Sequence, residues 1–177
     1  MVIVVTPVTP QPSVVIPARD TVAPAAPVVL MAALQPRHAA MRAHIALKLL
    51  VDCSGSMGGD SIASARRALL GVLAGLTERD EVSISRFGSS VAHLIKPSAC
   101  TPNTLRRVAS AMEALEADLG GTEMRAALTA VFDLRVSRRS AGADVLLVTD
   151  GEIWQAQPVI DAARASGHRV FAIGVGS

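Results

Sequence analysis

Two short segments concentrate the side chains able to do chemistry, Asp52-Cys53-Ser54-Gly55-Ser56 and Thr149-Asp150-Gly151. Each follows an apolar run, 45–51 (interrupted only by Lys48) and 145–148. Alternate residues of an extended loop point the same way, so Asp52, Ser54 and Ser56 can face one point while Gly55 lets the backbone bend closely around it. A third segment, Gly120-Gly121-Thr122, offers another hydroxyl just before a helix. Three hydroxyls and two carboxylates form an all-oxygen set, which suits a hard divalent cation. Mg²⁺ or Mn²⁺ matches so small a set better than Ca²⁺, which usually recruits more carboxylates and carbonyls. If the two carboxylates act partly through water, neutral hydroxyls form the direct shell and the metal stays electrophilic. It then favours a carboxylate supplied by another molecule.

The same residues admit other readings. Alone, Asp52, Ser54 and Ser56 would serve to cap the next helix and satisfy loop amides, as Ser/Asp/Gly clusters usually do; Thr122 and Asp150 shift the balance to a metal. The Ser-Gly-Ser-Met-Gly-Gly loop could cradle a phosphate at a helix start, but it lacks the lysine of a P-loop and two acids flank it. Neither serine lies in a GxSxG nucleophile motif. His38, His44, His93 and His168 show no ligand spacing, and Cys53 reads as a small buried residue at a strand end. The pairs Arg66-Arg67, Arg106-Arg107 and Arg138-Arg139 read as solvated faces rather than a nucleic-acid surface. Trp154 suits either a partner contact near the metal rim or a cover for the sheet edge.

The elements that must position these residues follow from periodicity. The runs 45–51, 145–148 and 170–175 read as buried parallel strands. After the first comes an amphipathic helix, capped by Asp60 or Ser61, with Ile62, Ala65, Leu69, Val72, Leu73 and Leu76 on one face. Segment 81–87 alternates as a strand, and Gly88-Ser89-Ser90 turns it into a second strand over 91–95. Thr101-Pro102 starts a helix over 102–117, with helical spacing resuming over 124–134 and again over 158–166. Alternating strands and helices predict an α/β fold, a doubly wound, mostly parallel sheet with helices on both faces. In such sheets ligands bind beyond the carboxyl ends of the strands, which is where Asp52 and Asp150 fall. Seven of the ten prolines lie in the first 44 residues, so this Pro/Val-rich segment predicts edge strands or an extended arm, distinct from the domain over 45–177.

Composition narrows the function less than the motifs do. The chain has 177 residues, 50% hydrophobic and 18% charged, enough for one globular domain plus an appendage. Three Phe, one Trp and no Tyr leave the core to Ala, Val and Leu. A formal charge of +2 does not call for nucleic acid or an anionic membrane. No apolar stretch approaches the roughly 18–20 residues of a membrane span. The amino terminus lacks a basic region and is broken by Pro7, Pro10 and Pro12, unlike a signal peptide. Cys53 and Cys100 form no CxxC pair or disulfide framework, and together these features predict a cytoplasmic protein.

Asp52-Cys53-Ser54-Gly55-Ser56 resembles the DxSxS element of von Willebrand factor type A domains with a metal-ion-dependent adhesion site. Thr122 in Gly-Gly-Thr and Asp150 in Thr-Asp-Gly match the second and third elements, in the same order and with similar separations, over residues 46–177. The resemblance implies that Ser54, Ser56 and Thr122 bind Mg²⁺ or Mn²⁺ directly. Asp52 would act mainly through water, and Asp150 directly or through water according to conformational state. It further implies a non-enzymatic module whose protein partner offers Asp or Glu to the metal. A metal-dependent phosphoester hydrolase and a metal-free interaction scaffold are the alternatives. The wording LLVDCSGSM, GGTEM and LLVTDGE is most similar to bacterial members. Some of these follow a vault-type or inter-alpha-trypsin-inhibitor amino-terminal domain, of which IPARDTV and VVLMAAL could be the last strands. The family fold usually continues beyond 170–175 with a helix, a strand and a final helix, so the chain resembles a member lacking its carboxyl-terminal part.

Overall fold

The computed structural model describes residues 14–18, 29–33, 44–137, 143–151 and 156–176. The chain divides into two units, 1–43 and 44–177. In the first, strands β1 (Val14–Ala18) and β2 (Val29–Ala33) pair antiparallel, Val14 opposite Ala33 and Ala18 opposite Val29.

The second unit is built on a five-stranded sheet. Its strands are β3 (Ala46–Asp52), β4 (Glu81–Phe87), β5 (Val91–Ala99), β6 (Asp144–Thr149) and β7 (Arg169–Gly174), in the order β5-β4-β3-β6-β7. Only the β4–β5 hairpin is antiparallel. The centre of the sheet falls on β3, whose continuous apolar run leaves almost no residue exposed, as expected of a strand covered on both faces. Among the described residues four α-helices connect or follow the strands: α1 (Asp60–Ala74), α2 (Pro102–Glu113), α3 (Met124–Phe132) and α4 (Ala156–Ser166). One face packs Leu49, Val51, Val82 and Ile84 with α1 and α2 through Ile62, Leu69, Val108 and Met112. The other packs Leu50, Phe87 and Leu147 with α3 through Met124, Leu128 and Val131. This is the doubly wound, mostly parallel sheet expected from the alternation of elements.

Several local expectations are corrected. The α1 N-cap is Gly59 rather than Asp60 or Ser61; its φ of 72° lies in the left-handed region that glycine tolerates, and Asp60 instead opens the helix, where its charge complements the dipole. α2 ends at Glu113, not 117, because the chain must leave the helix to carry Leu119 back to the strand ends. Its start follows expectation, Thr101 Oγ1 accepting from the Thr104 amide ahead of Pro102. α3 ends at Phe132, where Lys48 meets its last carbonyls. β7 is an outer strand among the described residues, not a buried one: Phe171 is 50% exposed. An apolar run reports a strand's composition but not whether a neighbour covers it. Arg66 is not solvated: its guanidinium lies half-buried and donates to the Leu115 carbonyl, tying α1 to the turn after α2. Arg138, Arg139, His38 and Trp154 lie outside the described residues.

Candidate functional site

Three loops meet at the carboxyl end of β3 and are knitted by backbone hydrogen bonds. The Cys53 amide donates to Phe87 O (2.7 Å), the Leu119 amide to Cys53 O (3.0 Å) and the Gly55 amide to Gly120 O (3.0 Å). The Ser89 amide donates to Leu119 O (2.9 Å) and the Glu123 amide to Gly88 O (2.8 Å). The segment carrying Thr122 is thereby held against the segment carrying Ser54 and Ser56. Gly88 permits the close approach: a Cβ there would lie 2.4 Å from Leu119 Cβ and 2.7 Å from Leu119 O.

Within this frame the oxygens converge. Ser54 Oγ and Ser56 Oγ lie 3.2 Å apart, and Ser56 Oγ donates to Asp150 Oδ1 at 3.0 Å. Asp52 is fully buried and both its carboxylate oxygens are engaged, Oδ1 by the Ser54 amide (2.9 Å) and Oδ2 by the Thr149 hydroxyl (2.6 Å). The Thr149 hydroxyl in turn accepts from the Gly151 amide at 3.1 Å. Asp52 therefore braces the two loops from beneath, while Ser54, Ser56 and Asp150 stand above it; Ser56 and Thr122 are exposed. Sequence reasoning missed Thr149 and Gly88. The Thr-Asp-Gly wording contained Thr149, but only the pairing of β3 with β6 reveals its partner 97 residues away.

Among the described residues no three His, Cys, Asp or Glu side chains group closely enough to hold a metal. Any cation held here therefore depends on hydroxyls, and the donors present are the neutral and anionic oxygens that hard divalent ions select. Cys53 adds no nucleophile: it is wholly buried, and burial pushes its thiol up to about 11. His93 is bound to Ser85 Oγ (2.8 Å) and His168 to Lys48 (2.7 Å), so both imidazoles are engaged away from the serine cluster.

A model of the von Willebrand factor type A domain matches residues 45–177. The chain belongs to the von Willebrand factor type A (VWA) family. A VWA-domain-containing protein of Dictyostelium discoideum is 38% identical over 133 residues, covering 72% of this chain. The chain spans only 14% of that relative's length. The fold is shared with a VWA protein from Catenulispora acidiphila, at TM-score 0.64 and 21% identity over 84% of this chain and 35% of that one. It is shared also with the manganese-loaded TRAP protein of Plasmodium vivax, at TM-score 0.63 and 26% identity over 76% of this chain and 58% of that one. VWA domains are protein-interaction modules that often bind divalent metal. No described helix of this one is long and apolar enough to cross a membrane.

Proposed function

We propose that this VWA domain is a divalent-metal-dependent protein-binding module that grips an acidic residue of a partner. Ser54, Ser56, Thr122 and Asp150 would hold Mg²⁺ or Mn²⁺, with Asp52 acting from beneath, mainly through water. The observation that carries the reading is the chain of oxygens from Ser54 through Ser56 to Asp150, set over a buried Asp52 whose own oxygens are taken up by the Ser54 amide and the Thr149 hydroxyl. A carboxylate tied down in this way orients the loop instead of quenching the ion. When bound, the metal supplies an electrophilic position for an incoming Asp or Glu. The manganese in the Plasmodium vivax neighbour supports the choice of ion.

Calorimetric titration of the chain with Mn²⁺ and Mg²⁺ tests the proposal. Saturable binding is expected, and Ser54→Ala/Ser56→Ala should abolish it while leaving the thermal melt intact. Equal binding by that variant would remove the site. Turnover of a generic phosphoester with Mn²⁺, lost in Asp52→Asn, would instead support a metal-dependent hydrolase.

A further inference from the structure

We propose that the groove between β5 and α2 is a second docking surface, separate from the proposed metal site, which takes a short acidic segment of another protein carrying one large apolar side chain. The groove is an open cavity of about 390 Å³ lined by Leu94, Ile95, Arg106, Arg107, Ser110 and Ala111.

Its apolar floor arises from an irregularity in β5. Ile84 of β4 pairs with Ile95 and Ser85 with His93, so Leu94 is an extra residue on β5 with no partner across the hairpin. A bulge breaks the alternation of side chains and re-aims the residue it inserts. Leu94 and its neighbour Ile95 thus both line the groove, and Leu94 remains 38% exposed, a large apolar side chain held at the surface. A second irregularity between the Ser98 and Ile95 pairings, beside Pro97, spoils the outer edge of β5 for adding another strand. The groove therefore favours recognition through side chains over extension of the sheet.

Its rim is cationic. Arg106 and Arg107 are both exposed, and neither forms an ion pair among the described residues; Arg106 only donates to the Pro102 carbonyl within its own helix. They stand in the first two turns of α2, whose first turn carries no acidic residue. Carboxylates supplied by a partner would complete the electrostatics, bidentate contact with guanidinium being the strong form of that pairing. An apolar side chain laid on Leu94 and Ile95 would cover the floor.

The test uses the full chain in EDTA, which silences the proposed metal site, and three fluorescent hexapeptides: Glu-Asp-Glu-Leu-Asp-Glu, its glycine-for-leucine version, and Lys-Arg-Lys-Leu-Arg-Lys. Anisotropy should show saturable binding of the acidic leucine peptide, at least tenfold weaker binding of the glycine version, and none of the basic one. Amide shifts should map to Leu94, Ile95, Ser110 and Ala111. Arg106→Gln/Arg107→Gln and Leu94→Ser, each at an exposed position, should separately weaken binding at least tenfold with unchanged circular dichroism. The proposal is overturned if no binding occurs at millimolar peptide, if the shifts map elsewhere, or if the glycine peptide binds equally well. Equal affinity in whichever of the two variants folds would overturn it as well.

Discussion

At the scale of single residues, the oxygen cluster depends on two positions that would bind no ion. Gly88 holds the Leu119–Gly121 backbone at a distance no side chain allows. Gly88→Ala must displace that backbone, because the nearest atoms include a main-chain carbonyl that cannot swing aside, and the displacement carries Thr122 away from Ser54. We expect Mn²⁺ affinity to fall at least tenfold in this variant with secondary structure retained, as calorimetry and circular dichroism would report. Thr149→Val conserves shape but leaves Asp52 Oδ2 buried and without its donor. The unmet carboxylate should cost roughly 1–3 kcal/mol of stability and, because Asp52 braces the loop, about tenfold or more in metal affinity. A variant that binds Mn²⁺ like the parent protein would show that Asp52 needs no such brace.

At the scale of elements, β3, the end of α3 and the turn before β7 meet around a buried amine. Lys48 is 1% exposed, and its Nζ donates to Val131 O (2.9 Å), Phe132 O (3.2 Å) and His168 Nε2 (2.7 Å). The first two are terminal carbonyls of α3, the negative end of that helix. Accepting at Nε2 places the His168 proton on Nδ1, which faces the Ser166 carbonyl at 3.0 Å. Burial lowers the amine from 10.5 to about 8 despite the nearby Asp133, and burial together with Lys48 lowers the imidazole below its ordinary 6.5. The unfolded chain therefore holds the Lys48 proton between pH 8 and 10.5 when the folded chain does not, so the Lys48 contribution to stability rises with pH across that window, whereas the Cys53 and Cys100 thiols, pushed by burial from 9.0 to about 11, contribute with the opposite sign above pH 9. By the same linkage, His168 is protonated first in the unfolded chain, and stability should decline as pH falls below 6.5. In urea midpoints between pH 5 and 9, below the range where the thiols titrate, Lys48→Met should flatten the rise above pH 8 and His168→Gln the fall below pH 6.5. The elements themselves were largely legible: the apolar runs, the helical stripes and the Thr101-Pro102 start all lie where periodicity puts them. The polar cluster beneath α3 was not, since Lys48 looks like an interruption in β3 until α3 supplies its acceptors. Nor were the β5 bulges, which depend on register with β4. Side-chain chemistry singled out Ser54, Ser56 and Asp150, which the loops bring within hydrogen-bonding distance along a chain, whereas Thr149 and Gly88 act through approaches that only the assembled loops create.

At the scale of the whole molecule, the described sheet presents two different edges. β5 is interrupted by bulges and Pro97, while β7 is regular, with Phe171 half exposed and Arg169 over its ring at 5.9 Å. The oxygen cluster carries a further consequence for synthesis. Ser56 and Asp150 are separated by 94 residues, and Asp52 and Thr149 by 97. Contacts of such separation form only after the intervening chain has been ordered, and they tend to slow folding. On the ribosome, β3, α1 and the β4–β5 hairpin emerge well before β6, so Ser54 and Ser56 wait without Asp150 until the 94-residue separation has been synthesised. A cation that requires all of them would bind after the sheet has closed, acting as a seal on the finished domain and not as a template for its folding.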